Sequence, residues 1–155
     1  MLVAFVAEGM HKNVMITPSS SPSDSTFRSR KYAHTGNPDT LDDPGRVLSL
    51  SNMPKDVHWA QFYAVFIPDE ERGQAAIDYF EKNRANFYRQ MEKFGDRVAP
   101  CRNADDMEKA WAAGKTAAFL TIENGSALAG DLSRVHTLAE QGVRAITLTW
   151  NGENE

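Results

Sequence analysis

Apolar residues gather in three runs that read as buried strands. The first, Trp59 to Ile67, is rich in aromatic and β-branched residues and is stopped by Pro68. It is nearly continuous rather than alternating, the mark of a strand covered on both faces, as in parallel sheets. The others are Ala117 to Ile122 and Arg144 to Trp150. Between the runs the apolar period becomes helical. Ala76, Ile77, Phe80, Phe87, Met91 and Phe94 mark one helix, with Asp69 as its expected cap and Gly95 as its stop. Asn103 is placed to cap a second, which turns Met107, Ala110 and Trp111 inward and stops at Gly114. Its Asp105-Asp106 pair falls in the first turn, where the helix dipole favours negative charge, so it reads as structural rather than metal-binding. A third helix is expected from about Asp131 to Gln141, with Leu132, Val135 and Leu138 on its inner face and Gly142 as its stop. Strand, helix and strand at this spacing make a βαβ unit with parallel strands and a right-handed crossover.

The amino-terminal third is different. Met1 to Ala7 is apolar and short, lacks a basic leader, and fits a first strand within residues 1–16 better than a signal peptide. Residues 17–45 are dominated by Ser, Thr, Pro and Asp, with turn signals at Asn37-Pro38-Asp39 and Asp43-Pro44-Gly45. That span is expected to be loop or disordered insertion, because it has too few apolar groups to offset ordering entropy. Residues 46–155 carry the globular pattern.

At 155 residues and 41% hydrophobic, the chain can bury one core. A net charge of -4, with Arg28-Ser29-Arg30-Lys31 as a short basic cluster in a polar stretch, argues against a nucleic-acid partner. No stretch is long enough to span a bilayer. Cys101 is the single cysteine, which rules out an intramolecular disulfide and fits a cytoplasmic location. Flanked by Pro100 and Arg102, with no histidine near in sequence, it reads as an inert buried thiol.

The candidate chemistry sits at the end of the second run, in Ile122-Glu123-Asn124-Gly125. A carboxylate at the carboxyl end of a buried strand, followed by a turn, is where parallel α/β folds keep their active groups. Glu123 there needs a metal ion, an arginine or a strong hydrogen-bond set to stay charged. The structural alternative is a carboxylate held by the backbone N–H groups of the Asn124–Ser126 turn. Asn124 to Gly130 matches neither GxxxxGK[ST] nor GxGxxG and reads as a loop with two glycines for its turns. His11, His34, His58 and His136 include no pair at the close helical spacing of a zinc site.

From about Gly45 to Glu155 the chain resembles the membrane (renal-type) dipeptidase family, the M19 metallopeptidases. The likeness is carried by Trp59 to Pro68, by Ala112 to Gly125 and by Gly142 to Asn151. It implies a (β/α)8 barrel with two zinc ions at the strand carboxyl ends, hydrolysing a dipeptide by metal-activated water. Glu123 stands where the family has its metal-bridging glutamate. Gly125 keeps the second glycine of the usual Glu-Gly-Gly, and Asn124 replaces the first. Trp150 falls where some members have a substrate-contacting histidine, and Asn151 beside it offers an amide to substrate. No histidine here is followed two residues later by aspartate, so the family's first-strand His-Xaa-Asp ligands are not found. His11-Lys12-Asn13 and Asn37-Pro38-Asp39-Thr40 each keep part of that pattern, and neither is assigned a ligand.

The fold expected is therefore a partial (β/α)8 barrel, roughly its first half, with a polar amino-terminal insertion. The function expected is zinc dipeptidase by family, in a truncated and inactive form, because the later ligands would fall beyond Glu155. The alternatives are a non-catalytic half-barrel or binding module that self-associates through an exposed barrel edge, and an unrelated α/β small-molecule binder.

Overall fold

A computed structural model describes Val14–Met15 and residues 41–43, 49–52, 58–150 and 152–153 of the chain. Five parallel strands form one sheet: β1 (Val14–Met15), β2 (Ala60–Phe66), β3 (Val98–Pro100), β4 (Thr116–Glu123) and β5 (Val143–Thr147). Three α-helices accompany them: α1 (Gln74–Lys93), α2 (Ala104–Ala112) and α3 (Arg134–Glu140). The order runs β1, β2, β4, and the far edge of β4 is shared by two strands. β3 pairs with its amino-terminal half, Thr116 to Ala118, and β5 with its carboxyl half, Leu120 to Glu123. A register shift at Leu120/Thr121 marks where β5 takes hold. This is part of a β/α barrel wall.

Strand alternation divides the side chains between two faces. Tyr63, Val65 and Ile67 join Ala118, Leu120 and Ile122 under the apolar stripe of α1, namely Ala76, Phe80, Phe87 and Met91. Leu138 of α3 belongs to the same cluster. α2 lies on the opposite face, where Ala110 packs with Cys101 and Ala117. Asn103 caps α2 as expected, its side chain accepting the Asp106 N–H at 2.8 Å.

Three expectations need correcting. Asp69 does not cap α1: the helix starts at Gln74 behind Gly73, whose φ is +53°, after residues 68–72 have crossed the sheet rim. α3 is shorter than 131–141 and leaves Leu132 outside it, 78% exposed; Val135, in its first turn, is 43% exposed, and of the predicted inner face Leu138 alone is buried. The Asp131 carboxylate accepts the Ser133 N–H at 2.9 Å, a local turn that competes with starting the helix there. β5 ends at Thr147 rather than Trp150, because the Leu148 carbonyl accepts the Gly125 N–H at 3.0 Å and the chain folds over the corner after β4.

Met1 to Ala7 and most of residues 17–45 lie outside the described residues. Of the latter span, residues 41–43 are seen, and Leu41 is buried in the core. Asp42 pairs with Arg97 at 2.7 Å and accepts a hydrogen bond from the Ser51 hydroxyl. The Arg97 guanidinium, then Ser51, lower the Asp42 carboxyl from 3.8 to about 2. A depressed carboxylate stabilises the fold fully above its unfolded value and loses that contribution as pH falls through the folded one. Arg97→Met is therefore expected to return the Asp42 titration toward 3.8 and to cost about 0.2–1 kcal/mol near neutral pH, the range of solvent-exposed ion pairs. An NMR pH titration of Asp42 in both proteins checks this; an unmoved midpoint would count against the pairing.

Candidate functional site

Because the strands are parallel, the carboxyl ends of β2, β4 and β5 reach one rim. Phe66, Glu123 and Thr147 are direct neighbours across that rim in the sheet register. Alternation puts Glu123 on the face of Phe119 and Thr121, away from α1. Glu123 is the last residue of β4 and is 2% exposed. A carboxylate so far from solvent is a group whose charge the surroundings must support.

The corner after Glu123 is built by Asn124 rather than by Gly125. Asn124 has φ +79° and is 1% exposed, and Ala129 is the other non-glycine residue with positive φ among those described. This conformation suits glycine and is met by few other residues, asparagine among them. The two-glycine loop expected from the sequence thus puts its left-handed turns at Asn124, Ala129 and Gly130, with Gly125 opening a short 3₁₀ helix, Gly125–Leu128.

The Asn124 amide knits the rim together. Its Nδ2 donates to the Ile67 carbonyl at 2.9 Å and to Asp69 Oδ1 at 3.0 Å. Its Oδ1 accepts from the Ser126 hydroxyl at 3.0 Å and the Ser126 N–H at 3.3 Å. Arg72 Nη1 donates to the Ser126 hydroxyl at 3.1 Å. The Gly125 N–H is engaged by the Leu148 carbonyl and the Ser126 N–H by the Asn124 side chain.

Trp150 meets Phe66 edge to face, with ring centroids 5.5 Å apart and planes at 76°. The structure thus brings Trp150 to the strand neighbour of Glu123. Asn151 lies outside the described residues. Phe66, Arg72 and Ser126 were not read as site residues from sequence, and Asp69 was read there only as a helix cap. The asparagine in place of the family's first glycine was the available signal, since a residue forced into positive φ needs bonds to keep it there.

The other chemical side chains lie elsewhere. His58 precedes β2 at the opposite end of the sheet, where it stacks on Trp111 at 5.2 Å. His136 is exposed on α3. Cys101 is buried, its thiol 3.4 Å from the Ala99 carbonyl, and burial raises its pKa, so it is held as an unreactive neutral thiol. No three His, Cys, Asp or Glu side chains among the described residues gather as a metal-holding group. Catalytic zinc centres use about three protein ligands and a water. The described donor set, with Glu123 at the rim, therefore does not by itself fit a complete metal centre.

A parallel β/α wall with a buried carboxylate at its carboxyl rim is the architecture of part of a β/α barrel. The family model for membrane dipeptidases, peptidase family M19, matches residues 25–155, reaching upstream of Gly45. The chain belongs to that family of metallopeptidases. No curated protein matches it.

Solved structures share the fold. A dipeptidase AC, a metallopeptidase of family M19, is 19% identical over 83% of this chain and 41% of its own, with TM-score 0.66. A Rhodobacter sphaeroides metallopeptidase, liganded with a phosphinate mimic of the dipeptide L-Ala-D-Ala, is 17% identical over 83% and 44%, with TM-score 0.66. The probable dipeptidase PvdM from Pseudomonas aeruginosa is 21% identical over 80% and 33%, with TM-score 0.64. The chain spans less than half the length of each. No helix among the described residues is long and apolar enough to cross a membrane.

Proposed function

We propose that this chain is the amino-terminal half of a zinc dipeptidase barrel, in which Glu123 is the metal-bridging carboxylate and Trp150 and Asn151 face the dipeptide. The observation that carries the reading is Glu123 itself, buried at the carboxyl end of the central strand in a chain of this family. In a complete centre two zinc ions supply an activated water and polarise the scissile carbonyl. What this chain contributes is an anionic group fixed at the rim and, beside it, the apolar wall of Phe66 and Trp150.

No complete group of ligands gathers among the described residues, so little or no hydrolysis of dipeptides by the 155-residue polypeptide on its own is the expected result. A second reading, self-association, is favoured by the exposed Leu132, Val135 and Leu148 around the β5 side of the wall. Strand edges and apolar patches of this kind pair with further protein. Light scattering tests it: a concentration-independent monomer would remove the second reading.

The metal reading is tested by titrating zinc into the polypeptide and its Glu123→Gln variant, with far-UV circular dichroism to confirm folding. The amide keeps the size of the side chain and removes its charge. Saturable zinc uptake, weakened about tenfold or more in the variant, is the expected result. Equal uptake by both proteins, or none by the folded wild type, would overturn the assignment of Glu123.

A further inference from the structure

We infer that Asn124 is a positioning residue, which sets the place of the Glu123 carboxylate by locking the carboxyl ends of β2 and β4 into one unit. The inference rests on the reading of Glu123 as the functional carboxylate. The lock is reciprocal. The Ile67 N–H donates to the Glu123 carbonyl at 3.0 Å, and the Ile67 carbonyl accepts from Asn124 Nδ2 at 2.9 Å. Residues 123 and 124 are thus bonded to both sides of one residue at the end of β2, leaving the Glu123 backbone little freedom to tilt.

The second amide hydrogen holds Asp69, which draws the chain beyond β2 across the rim, and the amide oxygen holds Ser126, which Arg72 in turn engages. The third rim segment rests on the same unit: a methyl group added at Gly152 would lie 3.2 Å from Asp69 Cγ and 3.4 Å from an Arg72 nitrogen. Segments following β2, β4 and β5 therefore meet around one buried amide. A side chain kept in a sparsely populated backbone region by surroundings that over-determine it is the pattern found at sites where geometry matters.

The test separates the amide from the backbone conformation. Glycine adopts φ +79° freely, so Asn124→Gly removes the amide bonds without adding strain. Asp69→Ala cuts one bond of the set and leaves residue 124 unchanged. In the full 155-residue chain, two signals are followed by NMR: the Glu123 side-chain carboxyl carbon and the hydrogen exchange of the Ile67 amide. Neither responds to a uniform loss of stability in a variant that stays folded under exchange conditions governed by local opening.

The expected result in Asn124→Gly is a displaced or split Glu123 carboxyl resonance and at least about tenfold faster Ile67 exchange, with a smaller change of the same kind in Asp69→Ala. An unchanged Glu123 resonance in the folded variants would overturn the proposal. Should Asn124→Gly fail to fold, Asp69→Ala decides it alone. Zinc added to the same samples reads the metal assignment separately. A wild type that takes up no zinc removes that assignment, and the carboxyl resonance still decides the positioning role.

Discussion

Gly142→Ala is expected to destabilise the chain by about 2–6 kcal/mol. Two costs add. Gly142 has φ +104°, a conformation closed to residues with a Cβ, and forcing one there costs about 1–3 kcal/mol. The new methyl would also sit inside the van der Waals radius of the Tyr88 hydroxyl and 3.4 Å from Tyr88 Cζ. That hydroxyl is held in place by donating to the Gln141 carbonyl at 2.9 Å. Overpacking against a fixed group costs about 1–3 kcal/mol. Tyr88→Phe removes the oxygen and leaves ordinary contact with the ring, so the double variant Gly142→Ala/Tyr88→Phe is expected to be less unstable than the two single losses added together. Urea unfolding of the four proteins measures it. Strict additivity would show that the clash contributes nothing and backbone strain everything.

Phe87→Ala should cost about 3–5 kcal/mol, the range for emptying a buried aromatic site. Phe87 is the hinge pin between α1 and the sheet. Its ring lies 5.7 Å from that of Tyr63 on β2 and 5.1 Å from that of its neighbour Tyr88, both at steep angles. It also lines a cavity of about 300 Å³ with Tyr88, Cys101, Arg102 and Leu120. Alanine would join the vacated space to that cavity, so the site cannot relax by simple collapse. In a chain of this length each 1 kcal/mol is worth about 2–4 °C in Tm, and a drop of about 6–20 °C by calorimetry is the expected reading. A change under about 3 °C would mean that α1 repacks around the gap.

The parts of this fold that were legible in the sequence are those decided by burial. β2, β4 and the stripe of α1 are long apolar patterns; the core cluster takes Ala76, Phe80, Phe87 and Met91 from the predicted stripe, with Phe94 packed against it and Ile77 not among its members. The Asn103 cap was legible because the competing interactions are local. What escaped was decided by partners distant in sequence. Asp69 has the position of a helix cap, and the Asn124 amide 55 residues away claims it instead. Leu132 has helical spacing with Leu138, yet α3 begins at Arg134 and leaves it outside the helix, while Val135 lies in the first turn and is exposed there. β3, three residues ending in Pro100, is too short for any periodicity to show. At the site, Glu123 was visible from its place after an apolar run. The bonded corner that surrounds it was not, because four of its members come from the loop after β2 or the turn after Asn124, and a single asparagine was the only mark of their meeting.

The shared edge of β4 has a consequence for the order in which the chain can be assembled. Ala60 on β2 finds its partner in Ala117, and β3 and β5 also pair with β4. During synthesis the apolar β2 run must wait until β4 has been made, a few seconds at about 5–20 residues per second. β5 follows soon after and needs the closure of a short α3 loop alone, the fast kind of contact. The nascent chain therefore spends its most vulnerable interval with the β4-facing edge of β2 bare, and a factor that shields extended apolar segments would act there, on the aromatic run from Trp59 to Ile67.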